Sequence, residues 1–308
     1  RLVIDEYDKC LEFGFQAEME QIRSHLPAVK QLMLTSATDA EEMPAYMERF
    51  ARGGRMDFVR LDYLDGIQLE DRLNVRTVPS PVKDKLETLA QLLASVQGKP
   101  SIVFVSHRES ADRIGKYLKG NGFFAEIYHG GMEQERRERA LYKFRSGSSN
   151  VLVSTDLAAR GLDIPEVEVI VHYHLPATED IYIHRCGRAT RWMSTGEVFL
   201  LKGPEENIPE FIESAEDFGL DGTGIVPAVP QWITLYVGRG KKDKLSKTDI
   251  VGFLCKKGGL RGEDIGRIDI GTHFAYATVK RMKVKAVMRS LAGEKIKGKK
   301  TLIEIMRN

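Results

Sequence analysis

Val151-Leu152-Val153-Ser154-Thr155-Asp156, followed by Val167-Glu168-Val169-Ile170-Val171-His172, decides the fold of this chain. Both runs are short, apolar and β-branched almost throughout, so each reads as a strand buried on both faces, the signature of a parallel sheet covered by helices. Working outward, a helix over Val82–Leu93, strand Ile102–Val105, helix Ser110–Leu118, strand Glu126–Tyr128 and helix Gln134–Phe144 alternate ahead of them. Such alternation predicts an α/β lobe. Further upstream, strand Leu2–Ile4, helix Leu11–Leu26, strand Leu32–Leu34, helix Met43–Phe50 and strand Phe58–Leu61 predict part of a second lobe of the same kind. Gly66–Asp71 breaks the pattern and Val78-Pro79-Ser80-Pro81 cannot continue a helix, which places a boundary near residue 72.

The rhythm changes after Pro227–Pro230. Ile233, Leu235 and Val237 alternate with Thr234 and Tyr236, as in a strand with one face inward. A helix near Lys247–Lys256, strands near Ile265–Ile270 and Phe274–Lys280, a helix carrying Val284, Val287, Met288 and Leu291, and strand Leu302–Met306 complete a βαββαβ order. The predicted division is 1–71, 72–222, a linker at 223–231, and an α+β domain at 232–308.

Charge follows this division. The net +2 hides a tail, residues 231–308, with 19 Lys+Arg against 7 Asp+Glu, while residues 1–230 carry a balance of −10. A basic module beside an acidic one is the asymmetry of a protein whose nucleic-acid affinity sits in one domain. No run approaches the roughly 20 apolar residues of a membrane span, and no leader is read at the start. A cytoplasmic protein without membrane contact is expected, and a monomer. Cys10, Cys186 and Cys255 lie too far apart in sequence to suggest a disulfide framework or zinc site. His172 and His174 stand at i, i+2 with no third ligand nearby in sequence.

Four segments carry chemistry. Val3-Ile4-Asp5-Glu6-Tyr7-Asp8 ends one strand in acids and Ser36-Ala37-Thr38 ends the next. Ser154-Thr155-Asp156 runs on to Ala159-Arg160-Gly161-Leu162-Asp163, and His184-Arg185-Cys186-Gly187-Arg188-Ala189-Thr190-Arg191 follows. In this succession the chain resembles the DEAD-box RNA helicases. The resemblance implies RecA-like parallel-sheet lobes, the first one partial, an RNA-recognition-motif-like tail, and ATP, magnesium and RNA as ligands. Paired acids at a strand end divide labour, one orienting hydrated magnesium and the other polarising the water that attacks a γ-phosphate. On the resemblance, Asp5 takes the first role and Glu6 the second.

The same resemblance makes Asp8, Ser36, Thr38 and His184 the groups that couple the acids to the rest of the machinery. Arg188 and Arg191 take the place of arginine fingers, whose planar fork matches phosphate oxygens, and Asp163 that of the acid contacting ribose. Two departures stand out: Tyr7 where the family has Ala, and Ala189-Thr190 where it has Thr-Gly. For RNA, Gln134 and Arg137, Thr155, and the Ser106-His107-Arg108 turn match positions that touch the backbone, consistent with recognition through phosphate and 2′-hydroxyl groups.

In the tail, Tyr236, Phe274 and Tyr276 fall on one face of neighbouring strands and form a candidate stacking platform. Lysine clusters at 241–247, 280–285 and 295–300 supply phosphate affinity. Gly293–Lys299 has the spacing of a phosphate loop, but Lys300 occupies the magnesium-binding Ser/Thr position and the segment joins a helix to a strand, so it reads as a basic turn. The tail resembles that of DbpA-type helicases. That implies tethering to large-subunit ribosomal RNA and a role in ribosome assembly. No Gly-rich phosphate loop is read ahead of Asp5, so the chain as given is expected to be inactive by itself. A non-enzymatic RNA-binding or assembly protein is the alternative reading.

Overall fold

Leu2, Val3 and Ile4 form β1 (Leu2–Ile4), which pairs in parallel with β2 (Leu32–Leu34), Leu2 opposite Leu32 and Ile4 opposite Leu34. Helix α1 (Gln16–Ser24) lies between them in sequence, and Ile4 is buried among Leu2, Tyr7, Met19, Leu32 and Leu34. The computed structural model describes residues 1–5, 7, 15–26, 29, 31–36, 59, 61, 73–156, 167–189, 196–212, 215–220, 222 and 224–306. The expected helix over Met43–Phe50 and most of the strand over Phe58–Leu61 lie outside them. The chain forms two units, Arg1–Asp71 and Arg72–Asn308.

In the second unit β3 (Leu73–Pro79), β4 (Ser101–Val105), β5 (Ala125–Tyr128), β6 (Val151–Thr155), β7 (Val169–His172), β8 (Gly196–Lys202) and β9 (Glu216–Asp217) make a parallel sheet of order β5-β6-β4-β7-β8-β3-β9. Helices α2 (Leu86–Ser95), α3 (Arg108–Gly120), α4 (Gln134–Arg145) and α5 (Glu179–Cys186) complete it. Every residue of β4, β6 and β7 is buried, as their apolar runs require. Strand β3 escapes a sequence reading because Asn74, Arg76 and Pro79 dilute its pattern. Its proline bars a helix but not a strand end: Pro79 closes β3, and the next amide, Ser80 N, donates to Lys202 O at 2.7 Å.

The tail forms β10 (Trp232–Val237), α6 (Lys247–Lys256), β11 (Ile265–Ile270), β12 (Ala275–Lys280), α7 (Val284–Ser290), a two-residue hairpin of β13 (Lys295–Ile296) and β14 (Lys299–Lys300), and β15 (Ile303–Ile305). Its antiparallel sheet has order β11-β12-β10-β15. Leu235, Val237, Ala275, Ala277 and Val279 turn inward onto Ile250, Leu254 and Val287. Ser246 starts α6 with a reciprocal cap: its Oγ accepts from Asp249 N at 3.2 Å while Asp249 Oδ2 accepts from Ser246 N at 2.9 Å.

Candidate nucleotide and RNA site

Parallel pairing of β1 with β2 brings the two motifs of the first unit side by side. Thr35 N donates to Ile4 O and Tyr7 N to Thr35 O, so Asp5 and Ser36 emerge together at the carboxyl ends of their strands, the edge where open α/β sheets hold ligands. Asp5 is exposed and accepts a hydrogen bond from the Thr35 hydroxyl. The Tyr7 ring takes a place in the small core around Ile4. Glu6, Asp8 and Thr38 lie outside the described residues.

The second unit gathers its motifs at one edge in the same way. Arg108 follows β4, Thr155 ends β6, and the Gly130–Gly131 turn follows β5, three strands adjacent in the sheet. A methyl group at Gly131 would lie 3.3 Å from Arg108 Cδ and one at Gly130 3.7 Å from its Nη2, so the arginine runs along the turn that leads into α4. On the first turns of α4, Arg137 Nε and Nη2 donate to the Tyr128 hydroxyl at 3.2 and 3.0 Å, and Nη1 reaches Gln134 Oε1 at 3.4 Å. Arg108 lies along the turn that leads to Gln134 and Arg137, and Thr155, buried, ends the neighbouring strand β6.

Helix α5 is capped by Thr178, whose Oγ1 accepts from Ile181 N at 3.4 Å. It presents His184 half-buried, and Arg188 follows its last turn, its amide bonded to Arg185 O and its carbonyl to Val167 N. Arg191 and Asp163 lie outside the described residues. Arg185, the residue between, is buried and holds both oxygens of Asp156, Nε to Oδ1 at 2.6 Å and Nη2 to Oδ2 at 2.9 Å. This bidentate pair ties α5 to the end of β6.

In the tail, Tyr236 and Tyr276 are cross-strand partners, and ring centroids lie 6.0 Å apart for Tyr236–Phe274 and 4.9 Å for Phe274–Tyr276. The three aromatics therefore meet on one face. That face is not wholly open. Tyr142 of α4 packs on Tyr276 at 4.8 Å, donates its hydroxyl to Arg267 O at 2.5 Å, and hydrogen-bonds the Thr278 hydroxyl at 3.1 Å. Tyr276 is buried as a result, and burial pushes its phenol up to about 12. Tyr236 and Phe274 stay half-exposed. Of the three rings expected to form a platform, Tyr276 is covered by Tyr142, which residue spacing alone does not foretell. Ser148 joins Thr234 hydroxyl to hydroxyl at 2.7 Å, and Arg281, stacked on Phe124, donates to Pro230 O and Trp232 O, so the linker itself is held.

Comparison with known proteins bears on both sheets. The family model described as the helicase conserved C-terminal domain matches residues 84–193, and that of the DbpA RNA binding domain matches 234–305. The ATP-dependent RNA helicase DbpA of Escherichia coli (strain K12) is 30% identical over 313 residues, covering 99% of this chain and 67% of that protein. The chain belongs to the DbpA-type DEAD-box RNA helicases. DbpA of Bacillus subtilis (strain 168) is 27% identical over 97% of this chain and 67% of its own length. Among solved structures, S. cerevisiae Dbp5 bound to RNA and ADP BeF3 superposes with a TM-score of 0.59 at 27% identity, covering 72% of this chain and 60% of that one. The seven-stranded sheet is a RecA-like helicase lobe.

For a DbpA-type helicase the lysine-rich loops acquire a context. Lys297 and Gly298 adopt positive φ at the tip of the β13–β14 hairpin, and Lys297 Nζ donates to Lys244 O and Asp249 Oδ2, each at 3.0 Å. The two lysine clusters are thereby joined into one exposed basic end. Cys186 is buried, and burial drives its thiol up to about 12, which leaves it an inert core residue. No cluster of three metal-binding side chains occurs among the described residues, and no described helix is long and apolar enough to cross a membrane. Asp156 and Arg185 lie inside two of the motif segments but had no role assigned from sequence, and Tyr142 lies in none; the spacing of Asp156 and Arg185, 29 residues apart, carries no local signal.

Proposed function

We propose that this protein is an ATP-driven RNA-unwinding enzyme that acts on large-subunit ribosomal RNA during ribosome assembly, tethered there by its C-terminal domain. Residues 1–71 form part of the first helicase lobe, 72–222 the second, 223–231 a linker and 232–308 the RNA-binding domain; the protein works as a cytoplasmic monomer. The observation that carries this reading is the placement of Arg108 along the turn that leads to Gln134 and Arg137, in the same unit as a basic tail docked on α4. Arg188 and Arg191 stabilise charge on the transferring phosphoryl group, His184, Asp8, Ser36 and Thr38 couple ATP to closure, and Asp163 contacts the ribose.

Asp5, exposed at the end of β1, offers the carboxylate that would orient hydrated magnesium through water. Magnesium held there would supply charge neutralisation to the phosphates, and Glu6 would orient and polarise the attacking water. Tyr236 and Phe274 stack bases over the buried Tyr276, and the lysine loops hold phosphates. ATP hydrolysis by the full-length protein with and without ribosomal RNA tests the proposal: RNA raises turnover, and Glu6→Gln abolishes it. Equal rates with and without RNA, or normal turnover in Glu6→Gln, contradict it.

A further inference from the structure

His172 and His174, spaced as a metal pair would be, are engaged in a different way. Arg185 Nη1 lies 3.0 Å from His172 Nδ1 and donates to His174 O at 2.9 Å. Ser106 N donates to His174 Nδ1 at 3.0 Å. Guanidinium and amide groups only donate, so both Nδ1 atoms are unprotonated acceptors and both rings are neutral. A guanidinium beside two occupied Nδ1 atoms leaves no place for a cation. Burial and the neighbouring Lys85, His107 and Arg185 charges, set against Glu206, hold His174 down at about 4, so this acceptor persists throughout the physiological range.

The contacts form one path. Asp156 at the end of β6 grips Arg185 of α5; Arg185 fixes the His174 carbonyl; and His174 Nδ1 fixes the amide of Ser106, two residues ahead of Arg108. His107, the N-cap of α3, forms no side-chain cap of its own, and its ring meets that of His174 edge-on at 6.2 Å. The Ser106–Arg108 turn is exposed, so its conformation depends on such outside restraints. We infer that His174 is a positioning residue that sets the Ser106-His107-Arg108 turn for RNA and links it to the helix that leads to Arg188. The inference rests on the reading that Arg108 contacts RNA.

The test uses RNA-stimulated ATP hydrolysis by the full-length protein with poly(U), separating KM for RNA from kcat. Asparagine places Oδ1 where Nδ1 stands, whereas glutamine places its carbonyl one bond further out. His174→Gln is expected to raise the KM for poly(U) about tenfold with kcat and melting temperature little changed, the scale of one lost oriented contact, and His174→Asn to restore it to within about threefold. Arg108→Ala gives a similar rise, and adding His174→Gln to it has no further effect. Equal behaviour of the Asn and Gln variants, or effects that add independently of Arg108, overturns the positioning role. A silent Arg108→Ala overturns the RNA-contact reading beneath it, and a rise in Arg108→Ala with a silent His174→Gln leaves that reading standing while ending this one.

Discussion

Arg185 sits between two residues that the motif spelling singles out, His184 and Arg188, yet is the most buried of the three. A buried guanidinium needs a full set of acceptors, and Asp156, His172 and His174 O provide them. The acids and arginines of the motifs were assigned through a family resemblance; their buried supports were not, because pairing across strands leaves no spacing rule. The supports have a measurable consequence. Complete burial, and then the Arg185 charge, hold His172 well below 6.5, and His174 moves the same way. The unfolded chain therefore binds more protons as pH drops below about 6.5, and stability falls from there towards pH 4. His172 and His174 together are expected to leave the protein less stable at pH 5 than at pH 7. Asp249, held at about 2 first by the Ser246 hydroxyl, and Asp264, held at about 2 first by Lys283, lose their contribution only below about pH 3.8 and do not overlap this window. Urea midpoints at pH 7 and pH 5 measure the effect, and identical midpoints contradict it.

Among the elements, the fully buried strands β4, β6 and β7 declared themselves as apolar runs, and the tail's βαββαβ order followed from its alternating and helical periods. Strands β3 and β8 did not; β3 mixes polar residues and proline into its pattern. Helix α4 held the larger surprise. Its first turns carry Gln134 and Arg137, while Tyr142 further along closes part of the tail's aromatic face. One helix therefore serves the proposed RNA surface at one end and anchors the RNA-binding domain at the other. Truncating a buried tyrosine removes about 3–5 kcal/mol of packing in a core, enough to release a docked domain. In Tyr142→Ala, elastase should cut the Val226–Val229 stretch more than roughly tenfold faster, in keeping with a loss above 1.4 kcal/mol. Unchanged cleavage means that Tyr142 does not hold the tail in place.

For the molecule as a whole, charge was the clearest message in the sequence, with an acidic front and a strongly basic tail. The structure adds that the tail's lysines converge at one exposed end through Lys297 and Lys244. What no reading of residues supplied was the docking of tail on lobe, because it depends on complementary surfaces from distant parts of the chain. The proposed function gives Arg188 the stabilisation of charge on the transferring phosphoryl group. RNA-stimulated ATP turnover of the full-length Arg188→Ala variant tests this most directly. The account predicts a loss on the order of 10³-fold, as for an arginine finger, with the protein folded and RNA still bound; turnover within about twofold of the parent, below ~0.5 kcal/mol of barrier, contradicts it.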